Sequence, residues 1–66
     1  MGSNTIIIYK TGSGKVKKTH SQEWYENEDE YISNGCKYID AYNEALPQHR
    51  RWAERKIRQL NLNASL

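Results

Sequence analysis

The sequence predicts an α+β fold, a small single domain in which an N-terminal β-hairpin packs on two or three short helices. Three observations support this prediction: a β-branched run before a Gly-rich turn, a change of the apolar period from 2 to 3.6 after Ser21, and a regular apolar stripe after Pro47. We expect one domain over 1–66. Its ends at 1–4 and 62–66 are expected to be flexible, because chain ends are ordered only where packing holds them.

The hairpin is predicted from two short runs on either side of the sequence Gly-Ser-Gly. Residues 5–9 are β-branched or aromatic, and residues 16–19 are mostly lysine and threonine. With a tight two-residue tip, Tyr9 lies opposite Val16. The first strand is apolar on both faces, so the rest of the chain should cover it. The second should be an exposed edge whose lysines oppose pairing with another sheet.

Residues 21–33 are predicted to form one helix, because aromatic and acidic side chains separate at about 100° per residue. Trp24 and Tyr31 belong to the aromatic arc. The Asn-Gly pair that ends at Gly35 is a typical helix terminator.

Two more amphipathic segments follow. The stretch 37–46 groups its apolar residues on one side when it is read at the helical period. Pro47 interrupts this stretch and is well placed in the first turn of a new helix. That last helix is expected over about 48–60, with Asn61 as its stop.

Charge is arranged in three blocks along the chain. Residues 1–20 carry four lysines and no acid, and residues 21–46 carry seven acids and one lysine. Residues 47–66 carry four arginines and one lysine against one acid. The net charge of +2 therefore combines two basic segments with an acidic one between them. If the blocks are neighbours in the fold they neutralise each other, and if they are separate each is an interaction surface.

Size and composition restrict the class of protein. A chain this short buries only about 60% of its unfolded surface, and with no Phe the five Tyr and two Trp must supply much of the buried area. The lone Cys36 excludes an internal disulfide and fits a reducing compartment. Small domains are often stabilised by disulfides, bound metals or self-association, and of these the composition leaves self-association open. No signal peptide or apolar run of membrane-spanning length is present, so we expect a cytoplasmic protein without a membrane partner.

No catalytic or cofactor-binding motif is complete. Residues 11–16 contain the Gly-Lys of a phosphate-binding loop, but a tyrosine stands at the required glycine and a valine at the required hydroxyl residue. His20, His49 and Cys36 are too few for a structural zinc site, and their spacing shows no pairing of nucleophile and base. We therefore expect no enzymatic activity, no cofactor and no bound metal.

Three groups of residues are candidate binding surfaces: the hairpin lysines, an arginine stripe bordered by a tryptophan on the last helix, and the acidic face of the 21–33 helix. Arginine and tryptophan suit contacts with phosphates, bases or protein surfaces. The candidate binding residues are Lys15, Lys17, Lys18, Arg51, Trp52, Arg55 and Arg58, and the acidic face comprises Glu23, Glu26, Asp29 and Glu30. The alternative is an ordinary solvated helix face in which Glu54 pairs with Arg58.

These surfaces predict a small, non-catalytic regulatory or inhibitory protein that docks on a larger protein partner through aromatic anchors and charged faces. The alternative is a nucleic-acid-binding module that uses the lysine-rich hairpin and the arginine-rich C-terminal helix. Self-association is compatible with both. The position of the acidic face relative to the two basic segments decides how much basic surface is available.

Overall fold

The computed structural model describes residues 4–64, with side chains described through residue 63, and it confirms the α+β class. A three-stranded antiparallel sheet carries helices on its two faces. The elements in chain order are strand β1 (Thr5–Lys10), strand β2 (Val16–His20), helix α1 (Ser21–Glu26), helix α2 (Glu28–Ser33), strand β3 (Lys37–Asn43) and helix α3 (Pro47–Ala64).

Strand β1 is the centre of the sheet, whose strand order is β2-β1-β3. It is a nearly continuous apolar run, which is typical of a strand covered on both faces. Ile6 and Ile8 pack beneath α3, and Ile7 and Tyr9 pack beneath α1 and α2. The expectation that the rest of the chain covers the first strand is therefore confirmed.

The hairpin forms as expected, but its register differs by one residue. Val16 lies opposite Lys10, and Tyr9 lies opposite Lys17. The reason is a longer turn: Thr11 donates a backbone hydrogen bond to the Lys15 carbonyl at 2.8 Å, so the tip is wider than two residues. Because side chains alternate along a strand, the one-residue shift moves Val16 onto the α3 face of the sheet.

The segment predicted as one helix over 21–33 is instead two short helices, α1 and α2, that meet at Asn27. This residue has φ −122° and ψ 23°, outside the helical range, and its side-chain amide donates to the Glu23 carbonyl at 3.1 Å. The Glu23 carbonyl also accepts the backbone N–H of Asn27 at 3.1 Å, so the side-chain amide shares the acceptor of a helical backbone bond. The expected stop is present, since Gly35 follows α2 with φ 84°.

The helical interpretation of the segment 37–46 is wrong, because residues 37–43 form strand β3. The buried strand β1 has backbone groups on both of its edges, and β2 can pair with only one of them. β3 supplies the second partner, with Tyr42 opposite Ile6 and Tyr38 opposite Tyr9. The ladder shifts between Ile8 and Tyr9 through a bulge.

Helix α3 begins at Pro47 as expected but does not stop at Asn61; it continues to Ala64. The Asn61 amide is engaged elsewhere: its Oδ1 accepts from the Val16 N–H at 2.8 Å, and its Nδ2 donates to the Val16 carbonyl at 3.2 Å. This pair of bonds ties α3 to the outer edge of β2.

The predicted flexible ends fall partly outside the described residues, namely at 1–3 and 65–66. Within the described part, residues 62–64 belong to α3. Asn4 accepts a backbone hydrogen bond from Glu44 at 2.8 Å, so the chain is tied to the sheet from that residue onward.

Candidate functional site

The outer face of α3 carries the predicted arginine stripe. Ala53 is fully buried against the sheet, and Ile57 and Leu60 pack around it. Arg51, Arg55 and Arg58 lie on the opposite side of the helix and are exposed. At a rise of about 1.5 Å per residue, this stripe is about 10 Å long.

These arginines have no acidic partner in the described part of the chain. Within residues 4–64, the ion pair that forms joins Lys56 Nζ to Asp40 Oδ2 at 3.2 Å, and it lies at the border between α3 and β3. The Glu54–Arg58 pair that an ordinary solvated face would contain is not formed there. The positive charge of the stripe is therefore available to a ligand.

Trp52 borders the stripe on the β3 side and is 43% exposed. The Lys56 ammonium lies 4.9 Å from the centroid of its ring, within cation–π range. Lys56 also forms the ion pair with Asp40, which holds its ammonium group against one face of the Trp52 ring. This contact restricts the orientation of the indole. Leu62, which is 58% exposed, continues the outer face of α3 beyond the arginines.

The acidic face lies on the other side of the sheet. Helix α1 packs through Trp24 on the Ile7 and Tyr9 face, whereas α3 packs on the Ile6 and Ile8 face. The sheet therefore separates the acidic residues from the arginine stripe, and the two do not neutralise each other by contact. All four residues of the predicted acidic face are exposed on the α1–α2 side: Glu23 and Glu26 on α1, and Asp29 and Glu30 on α2.

Two of the four acidic side chains, Glu23 and Glu26, accept hydrogen bonds from neighbouring side chains of β2, α1 and α2. Glu23 accepts from the Thr19 hydroxyl at 3.2 Å and from the Tyr31 hydroxyl at 3.4 Å. Glu26 accepts from the Gln22 amide at 3.2 Å. The bonds of Glu23 link α1 to β2 and to α2, so this carboxylate of the predicted acidic surface also has a structural role.

The three hairpin lysines do not form one surface. Val16 packs in the α3 cluster and Thr19 contacts α1, so even-numbered positions of β2 face α3 and odd-numbered ones face α1. Lys18 therefore lies on the α3 side and Lys17 on the acidic side. Lys15 precedes the strand, in the turn. Of the three, Lys18 is the one that can add its charge to that of the arginine stripe.

Most aromatic residues are part of the core. The Trp24 ring stacks on Tyr31 at 4.7 Å between centroids and lies 5.3 Å from Tyr9. Burial, together with the nearby Tyr31, raises the pKa of the Tyr9 phenol above its ordinary value. The expected aromatic anchors are thus reduced to the exposed rings of Tyr25, Tyr38 and Trp52.

The residues considered for catalysis or metal binding remain apart. Cys36 packs near the Trp24 cluster, whereas His49 lies in α3 on the other face of the sheet. In residues 4–64, no group of three or more His, Cys, Asp or Glu side chains is close enough to hold a metal ion.

Comparisons with protein-family models, with curated proteins and with solved structures found no match for this chain. Over the described residues, none of the helices has both the length and the apolar character needed to cross a bilayer.

Asp40, which sequence reasoning did not select, organises the border of the candidate surface. The backbone N–H of Ala41, at 2.8 Å, and then Lys56 lower the pKa of its carboxyl below its ordinary value. Lys56 stands four residues after Trp52, a spacing that brings helical side chains together and could have indicated their contact. The link to Asp40 depends on the position of β3, which the sequence did not reveal.

Asp40→Asn is expected to reduce the loss in the free energy of unfolding that occurs as the pH is lowered. Because folding lowers the Asp40 pKa, its contribution is present above the unfolded value of 3.8 and is lost as the pH falls through the lower folded value. The contribution is at most about 1 kcal/mol, since the pair is partly exposed to solvent. Urea unfolding at pH 7 and at pH 2 should show a smaller pH dependence for the variant. Glu54→Gln, an acid without an ion pair in the described chain, is the control and should retain the wild-type slope.

Proposed function

We propose that this protein is a non-catalytic regulatory or inhibitory module that docks on an acidic surface of a larger protein. The docking surface is the outer face of α3, defined by Arg51, Trp52, Arg55, Arg58 and Leu62. The observation that carries the proposal is the unpaired arginine stripe bordered by two exposed apolar side chains.

The composition of the docking surface favours a protein partner over a polyanion. Interface hot spots are enriched in Trp and Arg, and an exposed leucine gains from burial against apolar groups but not from contact with phosphates. The stripe is also short, and Lys17 cannot extend it because it faces the opposite side of the sheet. Lys56 beneath Trp52 limits the freedom of the indole before binding, which reduces the entropic cost of docking.

Charge complementarity defines the chemistry of the partner. Arginine forms bidentate hydrogen bonds with carboxylates, so a protein surface rich in Asp and Glu is the matching ligand. The acidic face of this chain would repel such a surface at close range, but it lies behind the sheet. The partner can therefore approach α3 without meeting those carboxylates.

Charge reversal tests the docking surface. Wild-type protein is used to recover a partner from nuclease-treated lysate of the native host, and binding of the purified partner is then measured by calorimetry. Arg51→Glu combined with Arg55→Glu should weaken binding by at least about 100-fold, because both charges then repel the acidic partner. Lys15→Glu combined with Lys17→Glu makes the same change of net charge away from α3 and should bind nearly as wild type.

Trp52→Ala tests whether the indole contributes to binding in addition to the arginine charges. It should weaken binding by about tenfold or more without altering the salt dependence of the affinity. Equal affinity of wild type and the Arg51→Glu/Arg55→Glu variant for the recovered partner would refute the docking surface.

Nucleic-acid binding is a second candidate, favoured by one observation. Lys18 lies on the same side of the sheet as the arginine stripe, and the acidic face lies on the other. Four phosphate contacts from these residues would give a slope of about −3.6 in log affinity against log salt concentration on duplex DNA. Fluorescence anisotropy with a labelled duplex measures this slope. A slope near zero, or one unchanged by Arg55→Ala, excludes this candidate.

A further inference from the structure

A second basic surface lies at the end of the sheet where the β1–β2 turn meets the α2–β3 loop. It is a shallow groove lined by the turn, by Gly35 of the loop and by the side chains of Lys10 and Lys37. No carboxylate of the described residues lines it. None of the residues in the docking surface on α3 takes part, so this groove is independent of the function proposed above.

The two lysines of the groove are directly opposite each other in the β1–β3 ladder. Like charges at such a position destabilise a sheet. Neither Lys10 nor Lys37 has an acidic partner within the described part of the chain, and both are exposed. The fold therefore carries an unfavourable charge pair that a bound anion would turn into a favourable arrangement.

The turn adds hydrogen-bond donors to this charge. The backbone N–H groups of Gly12 and Ser13 donate to no acceptor in residues 4–64. The Thr11 and Ser13 hydroxyls are 2.9 Å apart and share one proton in a hydrogen bond, so the other hydroxyl proton is available to a ligand. The residues that line the groove thus carry two ammonium groups, two amide N–H groups without an acceptor in residues 4–64, and one hydroxyl proton that is not used in the Thr11–Ser13 bond.

The backbone of the groove is held in place by a close contact of two loops. A Cβ added to Gly12 would lie 2.7 Å from the Asn34 carbonyl oxygen, so only glycine permits this approach. Gly35, on the other side of the contact, has φ 84°, a conformation that favours glycine. The turn is also closed internally, because the Lys15 N–H donates to the Thr11 hydroxyl at 3.1 Å. The donors are therefore arranged before a ligand binds.

We propose that this groove, formed by Lys10, Gly12, Ser13 and Lys37, binds a phosphate group, either free or as the monoester of a small molecule. A phosphate dianion presents several acceptor oxygens and a charge that matches two lysines, and backbone amides of Gly-rich turns are suited to such oxygens. The site differs from a nucleotide-binding P-loop, because the turn leads into strand β2 and Lys15 does not line the groove.

The test is an NMR titration of the ¹⁵N-labelled protein with sodium phosphate, compared with sodium chloride at the same ionic strength. The amides of Gly12 and Ser13 should shift and saturate with phosphate but not with chloride. A parallel titration with adenosine monophosphate identifies the source of the phosphate. Equal affinity assigns the site to phosphate itself, and tighter binding of the monophosphate assigns it to a nucleotide-type monoester. Chloride shifts equal to those with phosphate would overturn the proposal.

Lys37→Glu distinguishes a loss of phosphate binding from a loss of folding. It should abolish the phosphate-dependent shifts and raise the Tm, because the introduced carboxylate would face Lys10 as an opposite charge. Lys17→Glu is the matched control with the same charge change on the same sheet, outside the groove, and should retain binding to within about twofold. Lys10→Ala should weaken phosphate binding by about tenfold. Wild-type phosphate affinity in both Lys37→Glu and Lys10→Ala would overturn the proposed site.

Discussion

Trp24→Ala is expected to lower the free energy of unfolding by about 3–5 kcal/mol, the cost of truncating a buried aromatic residue. Trp24 is 3% exposed, and its ring contacts Tyr9 and Tyr31. Helix α2 has no buried residue of its own, so this cluster holds the α1–α2 layer on the sheet. Since a domain this small is stable by only about 5 kcal/mol, the variant should be largely unfolded at 37 °C.

Trp52→Ala is the matched control, because the same side chain is removed from an exposed position. Urea unfolding followed by far-UV circular dichroism should place it within about 1 kcal/mol of wild type. The reverse order of the two variants would mean that the α1–α2 layer contributes little to stability.

Ile8→Ala is expected to cost about 2–5 kcal/mol, because the side chain is completely buried and the packed core cannot close around the cavity. Ile8 lies in the central strand beneath α3, in contact with the cluster that includes Val16, Tyr42 and Ala53. Its loss therefore weakens the attachment of α3, the helix that carries the docking surface.

Ile32→Ala removes the same atoms from a side chain that is 58% exposed, and it should change the stability by no more than about 0.5 kcal/mol. Thermal unfolding of both variants measures the difference. A loss below about 1 kcal/mol for Ile8→Ala would show that the two faces of β1 are not both part of the core.

The hairpin and the last helix could be predicted from the sequence because their signals are local: a β-branched run with a Gly-rich turn, and an apolar stripe after Pro47. Strand β3 could not. Its residues show no regular alternation of apolar and polar side chains at the strand period, whereas at the helical period the apolar ones fall on one side. The deciding factor is the unpaired edge of β1, which lies about thirty residues away in the chain. The predicted hairpin register was wrong for a local reason, because the backbone hydrogen bond from Thr11 to Lys15 closes a turn that is longer than two residues.

The candidate surfaces also include some features that local sequence signals predict and others that depend on the rest of the fold. The arginine stripe follows from helical spacing alone, and Arg51, Arg55 and Arg58 lie in α3 as exposed residues. The separation of Lys17 from Lys18 depends on the strand register, and the separation of the acidic and basic layers depends on which face of the sheet each helix covers. The groove between the lysines of β1 and β3 required β3 and could not be found without it.

The side chains on the two outer strands restrict how this molecule can be recognised. The Asn61 amide occupies the outward backbone groups of Val16 on β2, and the Asp40 carboxylate occupies the N–H of Ala41 on β3. A peptide that paired with the sheet edge at these positions would have to displace one of these side chains and break its hydrogen bonds. β-Augmentation is therefore disfavoured wherever it would need the backbone groups of Val16 on β2 or the N–H of Ala41 on β3.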